Sequence, residues 1–296
     1  MNRRRPIFAS GSNITQPNGQ SFAVGNGFST RPSVTHGTAV TPGNNTYGTV
    51  VQLVAGASVT QNIYEIQLLF HDGYTSANAR DMIAKIVTDP AGGTNWSTLV
   101  PNLLVSCAGT YNGAFPISYR LPVYIPAGSS IGVAASVNNA TVGTVYCAIQ
   151  CYGSPARTLV SGVDYGTHVE SVGITLASSS GTAVTPGQAA EGSWTLLGTT
   201  TQSAFCFLVG VGINNATMNS LIYHCDLSAS TDGGTTKDIL VEDLYVNTSS
   251  AETLGFAMLP NARCLRSYAS GVQLYARAQC NGAPDTGFSM AAYAVG

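Results

Sequence analysis

The heptapeptide GTAVTPG stands at Gly37–Gly43 and again, letter for letter, at Gly181–Gly187. One seven-residue identity can arise by chance, so the downstream residues decide whether the chain repeats. Ala84–Gly93 (AKIVTDPAGG) lines up with Cys225–Gly234 (CDLSASTDGG), Pro101–Val105 (PNLLV) with Glu242–Val246 (EDLYV), and Ala127–Ser136 (AGSSIGVAAS) with Ser270–Gln279 (SGVQLYARAQ). The offset drifts only between 141 and 144 residues, and each half closes on an alternating apolar run ending at Gly153 or Gly296. Matches kept in order at one period mark a duplicated unit, which sets the folding problem at half the chain length. A chain of 296 residues accommodates two domains of about 100 to 150 residues. We expect an extended arm over 1–35, one copy over 36–153 and a second over 154–296.

Within each copy, short apolar runs recur every ten residues or so between turns, in a chain with 33 Gly and 13 Pro. That is the pattern of an all-β protein. Ile63–Phe70, Val145–Tyr152, Phe205–Val211 and Gly271–Gln279 carry the β-branched and aromatic residues that favour strands. Turns are expected at Asp89–Gly93, Pro126–Ser129, Asn138–Ala140 and Asp232–Gly234. Ser76–Ile86 is the one helical candidate, and its alternation fits a strand almost as well. Seven or eight strands in about 115 residues suit a jelly roll or related sandwich better than an up-and-down barrel. The expected fold class is therefore all-β, with tandem duplicated antiparallel jelly-roll-like sandwiches. Thr158–Ala177 alternates well enough to add a first strand to the second copy. The matching stretch before the first copy, Met1 to about Thr35, is rich in Gly, Asn, Gln and Ser and cannot bury enough apolar area to order itself. Such an arm is either disordered or laid on a neighbouring subunit.

Charge narrows the function. Asp, Glu, Lys and Arg supply 9% of the chain, against about 25% in ordinary globular proteins. A surface made of Ser, Thr, Asn, Gln and Gly is buried in an assembly with little ionic desolvation, although secreted adhesins and glycan-binding β proteins share that composition. The net charge of −2 leaves no basic stripe for specific nucleic-acid binding, and Arg3, Arg4 and Arg5 are too short a cluster to change this. We assign these arginines, with Phe8, Phe22 and Phe28 of the arm, to assembly contacts. No run of eighteen apolar residues predicts a membrane span, and no apolar segment follows the N-terminal arginines as in a signal peptide. The seven cysteines are odd in number and mostly lie in apolar runs, as buried core residues of a reducing compartment do.

Motifs for chemistry are missing. None of the four histidines has a His or Cys partner at zinc-ligand spacing, and Cys147 and Cys151 fall on one strand face as a core pair. His71 and Asp72 would point to opposite faces of a strand. No nucleophile elbow, phosphate loop or dinucleotide fingerprint is present. A glycan hydrolase would need two carboxylates across a cleft; Asp164, Glu170, Glu242 and Asp243 are the candidates. Trp96 and Trp194 could stack on sugars but read more simply as half-buried core. We expect no catalytic residues, no metal, no cofactor and no enzyme.

The segment Leu121–Ala135, LPVYIPAGSSIGVAA, with the DPAGG turn at Asp89–Gly93 before it, resembles β-sandwich virion proteins of tailed bacteriophages. The resemblance covers most of the first copy, and Tyr268–Gly271 carries a degenerate version in the second. It implies a capsid decoration (cement), head-fibre or tail-associated protein located in the virion and assembled in the host cytoplasm. The implied partners are further copies of the chain, a trimer among the options, and major capsid or tail proteins. The other reading is a glycan- or receptor-binding β module of the tail-fibre or adhesin type, which predicts an exposed aromatic cluster.

Overall fold

The computed structural model describes residues 14–15, 21–22, 37–72, 80–108, 117–138, 143–153, 165–213, 221–247, 266–284 and 287–296. Of the N-terminal arm it describes one small antiparallel ladder, β1 (Ile14–Thr15) on β2 (Ser21–Phe22). Arg3, Arg4, Arg5, Phe8 and Phe28 lie outside the described residues, as do the expected domain boundaries at 35/36 and 154.

Strands form where the sequence alternates. The first sandwich holds β3 (Thr38–Val40), β4 (Gly43–Asn44), β5 (Val51–Val54), β6 (Glu65–Asp72), β7 (Arg80–Asp89), β8 (Ser97–Ala108), β9 (Ile117–Leu121), β10 (Ser130–Val137) and β11 (Val145–Tyr152). One sheet runs β4-β10-β7-β8 with β5 also on β10, and the other runs β3-β11-β6-β9. The second sandwich holds β12 (Val169–Val172), β13 (Thr182–Ala183), β14 (Gly187–Gln188), β15 (Thr195–Thr199), β16 (Cys206–Ile213), β17 (Ile222–Ser230), β18 (Asp238–Asn247), β19 (Gln273–Cys280) and β20 (Phe288–Val295). Its sheets run β14-β19-β17-β18, with β15 on β19, and β12-β20-β13, with β16 on the other side of β20. Pairing is antiparallel except for the two-residue ladders of β4 on β10 and β14 on β19, which recur at matching places in both copies. The fold is the expected tandem of all-β sandwiches. The helical candidate resolves to strand: β7 begins at Arg80, and 73–79 lie outside the described residues. Of the expected first strand over 158–177, only Val169–Val172 forms strand, as β12, and the rest of the described stretch lies outside strands apart from an isolated bridge at Gly166.

The repeat extends to backbone angles. Gly37 and Gly181, which open the two GTAVTPG motifs, have φ of +108° and +107°. A Cβ on either would stand 2.8 Å from a main-chain oxygen, that of Cys147 or of Met290. Only glycine meets both demands. Asn45 and Ala189 share positive φ at 51° and 62°, as do Asn102 and Asp243 at 46° and 51°. Left-handed non-glycine residues are uncommon, so two matched pairs mark one inherited backbone.

Alternation sorts the side chains. On β6, Ile66, Leu68 and Phe70 point into the first core, and on β11 Val145, Cys147, Ile149 and Cys151 meet them, all essentially without solvent contact. The second core contains Phe207, Val209, Val211, Met290, Ala292 and Ala294 from β16 and β20. The alternate residues of those two strands, Cys206, Leu208, Ala291, Tyr293 and Val295, belong instead to the first sandwich's cluster. Strand β20 is therefore buried on both faces, one side closing its own sandwich and the other sealing the joint between the two.

Candidate functional site

The joint is built around the edge of β8. This strand ends its sheet, and its bulge at Asn102 turns main-chain groups outward. The Tyr293 hydroxyl from β20 fills the gap: it accepts from Leu104 N–H at 2.8 Å and donates to the Asn102 carbonyl at 3.3 Å. The Asn102 amide donates to Ser171 Oγ and the Ile174 carbonyl across the joint, and the Tyr47 hydroxyl donates to Asn102 Oδ1 at 2.7 Å. Burial pushes the Tyr47 phenol up to about 12, partly opposed by its bond to the Asn102 backbone. Tyr119 packs edge-on against Tyr293 with centroids 5.5 Å apart.

The equivalent surface of the second sandwich is open and polar. Strand β18 also ends its sheet, with the left-handed Asp243 where β8 has Asn102. Three carboxylates converge on this face, with oxygens of Glu191, Asp226 and Asp243 all within 4.8 Å of one another. Asp226 is buried; it accepts from Arg277 Nε and from the Asp243 backbone N–H, both at 2.8 Å. Arg277 also pairs with Glu191 and lies 4.4 Å from the Trp194 ring. Asp243 reaches His224 Nδ1 at 3.4 Å. Burial raises the Glu191 pKa although 39% of its side chain is exposed; Arg277 opposes the shift, and Asp226 and Asp243 add to it. The guanidinium already sits among the three acids and supplies the positive charge a cation would bring.

Of the acids singled out from sequence, Asp243 enters this cluster. Glu170 instead caps backbone, accepting from Thr201 and Gln202 N–H, and Asp164 lies outside the described residues. Glu191, Asp226 and Arg277 were not foreseen. The one available signal was the alternation His224, Asp226, Ser228 along β17, which marks a polar outward face. Cys147 and Cys151 are free, buried and on one strand face, as expected, and burial pushes the Cys151 thiol up to about 12. Phe22 lies in β2.

No family model matches the chain, and no curated protein does. Among solved structures it is similar to PNGase F, a glycosylasparaginase from Flavobacterium meningosepticum, at 8% identity and a TM-score of 0.34, over 86% of this chain and 94% of that one. It is similar to the structure of Broad Bean Stain Virus at 8% identity and a TM-score of 0.33, over 87% of each chain. It is also similar to the CBM22-1–CBM22-2 tandem domain of Paenibacillus barcinonensis Xyn10C at 10% identity and a TM-score of 0.22, over 83% and 81%. None of these likenesses carries a function to this chain. One of these three is a virus structure, and none of the three is from a tailed bacteriophage.

One expectation is corrected. A glycosylasparaginase stands among the similar structures, so the expectation that the chain is not an enzyme is withdrawn. The physical reason is that it rested on absent sequence motifs, whereas a fold of this kind gathers charged groups from distant positions, as Glu191, Asp226, Asp243 and Arg277 show.

Proposed function

We propose that the chain is a structural protein of a virion, a capsid decoration or other accessory protein of a tailed bacteriophage that docks on the capsid or tail lattice and associates with copies of itself. The observation that carries this reading is the contrast between two equivalent sheet edges. Leu104 on β8 is fully buried because the second sandwich covers it, while Tyr245, its counterpart on β18, is 51% exposed. An open sheet edge is a template for another chain. The surface around it belongs to a chain with 9% charged residues, which lowers the desolvation cost of packing it against a neighbour. The virus structures among the similar folds are compatible with this reading, as is the Leu121–Ala135 resemblance. Partner copies and a major capsid or tail protein would then cover the open edge, with the arm and its Arg3, Arg4 and Arg5 adding contact area.

Light scattering on the purified chain, with and without 1–35, tests the proposal. A trimer or larger ring that dissociates without the arm supports it. A monomer at every concentration overturns self-association.

A further inference from the structure

A cluster of three tyrosines sits on the surface beside the joint, where the assembly reading gives it no work. It is built by backbone bridges between segments far apart in sequence. Ile63 and Ile125 exchange N–H···O bonds of 2.8 and 2.9 Å, which sets Tyr64 beside Tyr124. Val123 and Gly166 form a parallel bridge, with Tyr124 N–H donating to the Gly166 carbonyl and Gly166 N–H to the Pro122 carbonyl, both at 2.7 Å. That sets Tyr165 against the other two. The ring centroids lie 5.6 Å (Tyr64–Tyr124), 4.9 Å (Tyr64–Tyr165) and 5.5 Å (Tyr124–Tyr165) apart.

The alternate residues Ile63, Val123 and Ile125 fill the core. Tyr64 and Tyr124 are half-buried, and Tyr165 is 36% exposed. Among the described residues, none of the three hydroxyls has a hydrogen-bond partner; their contacts are ring to ring. For packing alone, phenylalanine would serve as well. Three contiguous rings carrying three free hydroxyls suit a ligand that is both apolar and polyhydroxylated.

We propose that Tyr64, Tyr124 and Tyr165 form a stacking site for a pyranose ring of a neutral glycan. A sugar offers a C–H face to the rings and hydroxyls to the phenols, the two-sided chemistry that tyrosine is suited to meet. The site is pre-organised, since the bridges tie it to the first sandwich and to the chain entering the second, so a ligand spends little on ordering it. The inference stands apart from self-assembly and holds for a monomer or a ring.

Saturation-transfer NMR on the full chain tests it, with cellotetraose, maltotetraose and chitotetraose as probes at about 5 mM each, a range suited to weak sugar binding. Transfer to ring C–H protons of at least one probe is expected, with affinity falling about tenfold in Tyr165→Ala and only a few-fold in Tyr165→Phe, which keeps the ring. Tyr165 is the most exposed of the three, so its variants report even where Tyr124→Ala fails to fold. Silence from all three sugars, transfer unchanged in Tyr165→Ala, or choline chloride binding in place of sugar would overturn the site. So would a Tyr165→Ala chain that changes oligomeric mass while its sugar signal stays intact, because the cluster would then be a protein contact.

Discussion

Two sheets in equivalent positions have been given opposite outer faces. In the second sandwich the outward residues of β16 and β20 are Cys206, Leu208, Ala291, Tyr293 and Val295, and they are buried against the first sandwich. In the first sandwich the matching positions on β6 and β11 hold Glu65, Gln67, Ala148, Gln150 and Tyr152. There Gln67 donates to Ser118 Oγ at 3.1 Å, Tyr152 donates to Gln67 Oε1 at 3.0 Å, and Arg120 pairs with Glu65 and lies 5.1 Å from the Tyr152 ring. The inward faces stayed alike because each must close a core. The outward faces diverged because only one is covered by its sister.

Exchanging residues between the faces tests this account. The largest effect is expected for Leu208→Gln, which places on the buried face the residue that Gln67 represents on the other. An amide without partners and a lost apolar side chain should together cost about 3 to 4 kcal/mol in urea unfolding. A cost under about 1 kcal/mol would mean that the joint opens in solution. Arg120→Met comes next. It removes the ionic partner Arg120 from a Glu65 with no solvent contact while leaving the other contacts of Glu65 in place, and about 2 kcal/mol is expected, less than for a fully buried pair because the Arg120 side chain is 31% exposed. Tyr293→Phe keeps the ring but leaves Leu104 N–H and the Asn102 carbonyl unanswered, for about 1 to 2 kcal/mol. The converse exchange, Gln67→Leu, should cost no more than about 1 kcal/mol. A larger loss there would make the polar network as indispensable as the apolar joint.

The last test has no effect at neutral pH. Tyr47 is raised from 10.0 to about 12, and Cys151 from 9.0 to about 12. The folded chain thus holds protons that the unfolded chain releases, and stability should fall as pH rises from about 9 toward 12. Tyr47→Phe should flatten the upper part of that decline in a denaturation series taken at successive pH values.

Strands and turns were legible because their signals are local. The DPAGG turn closes on Asp89, which accepts from Ala91 and Asn95 N–H, and β11 occupies the expected Val145–Tyr152. The joint was not legible. FSMAAYAV in β20 reads as one apolar run, and nothing in it says that Ala292 serves one core while Tyr293 serves the other. The acidic cluster was hidden for a related reason. Glu191, Asp226, Asp243 and Arg277 come from four segments, and in the first copy Tyr47, Lys85, Asn102 and Ala134 stand in their places, with Lys85 4.6 Å from the Tyr47 ring. The repeat keeps the backbone that positions such groups and leaves their chemistry free to change.

Strand β20, buried on both sides, also bears on how the chain is made. It follows every other described strand in order of synthesis, yet β12, β13 and β16 all pair with it, and its other face seals the joint. A ribosome must therefore deliver the chain through β20 before the second sheet can close or the joint can be sealed. Until then the β8 edge and the Leu208 face stand exposed to other nascent chains, and the hazard of misassembly is concentrated in the interval before one late segment arrives.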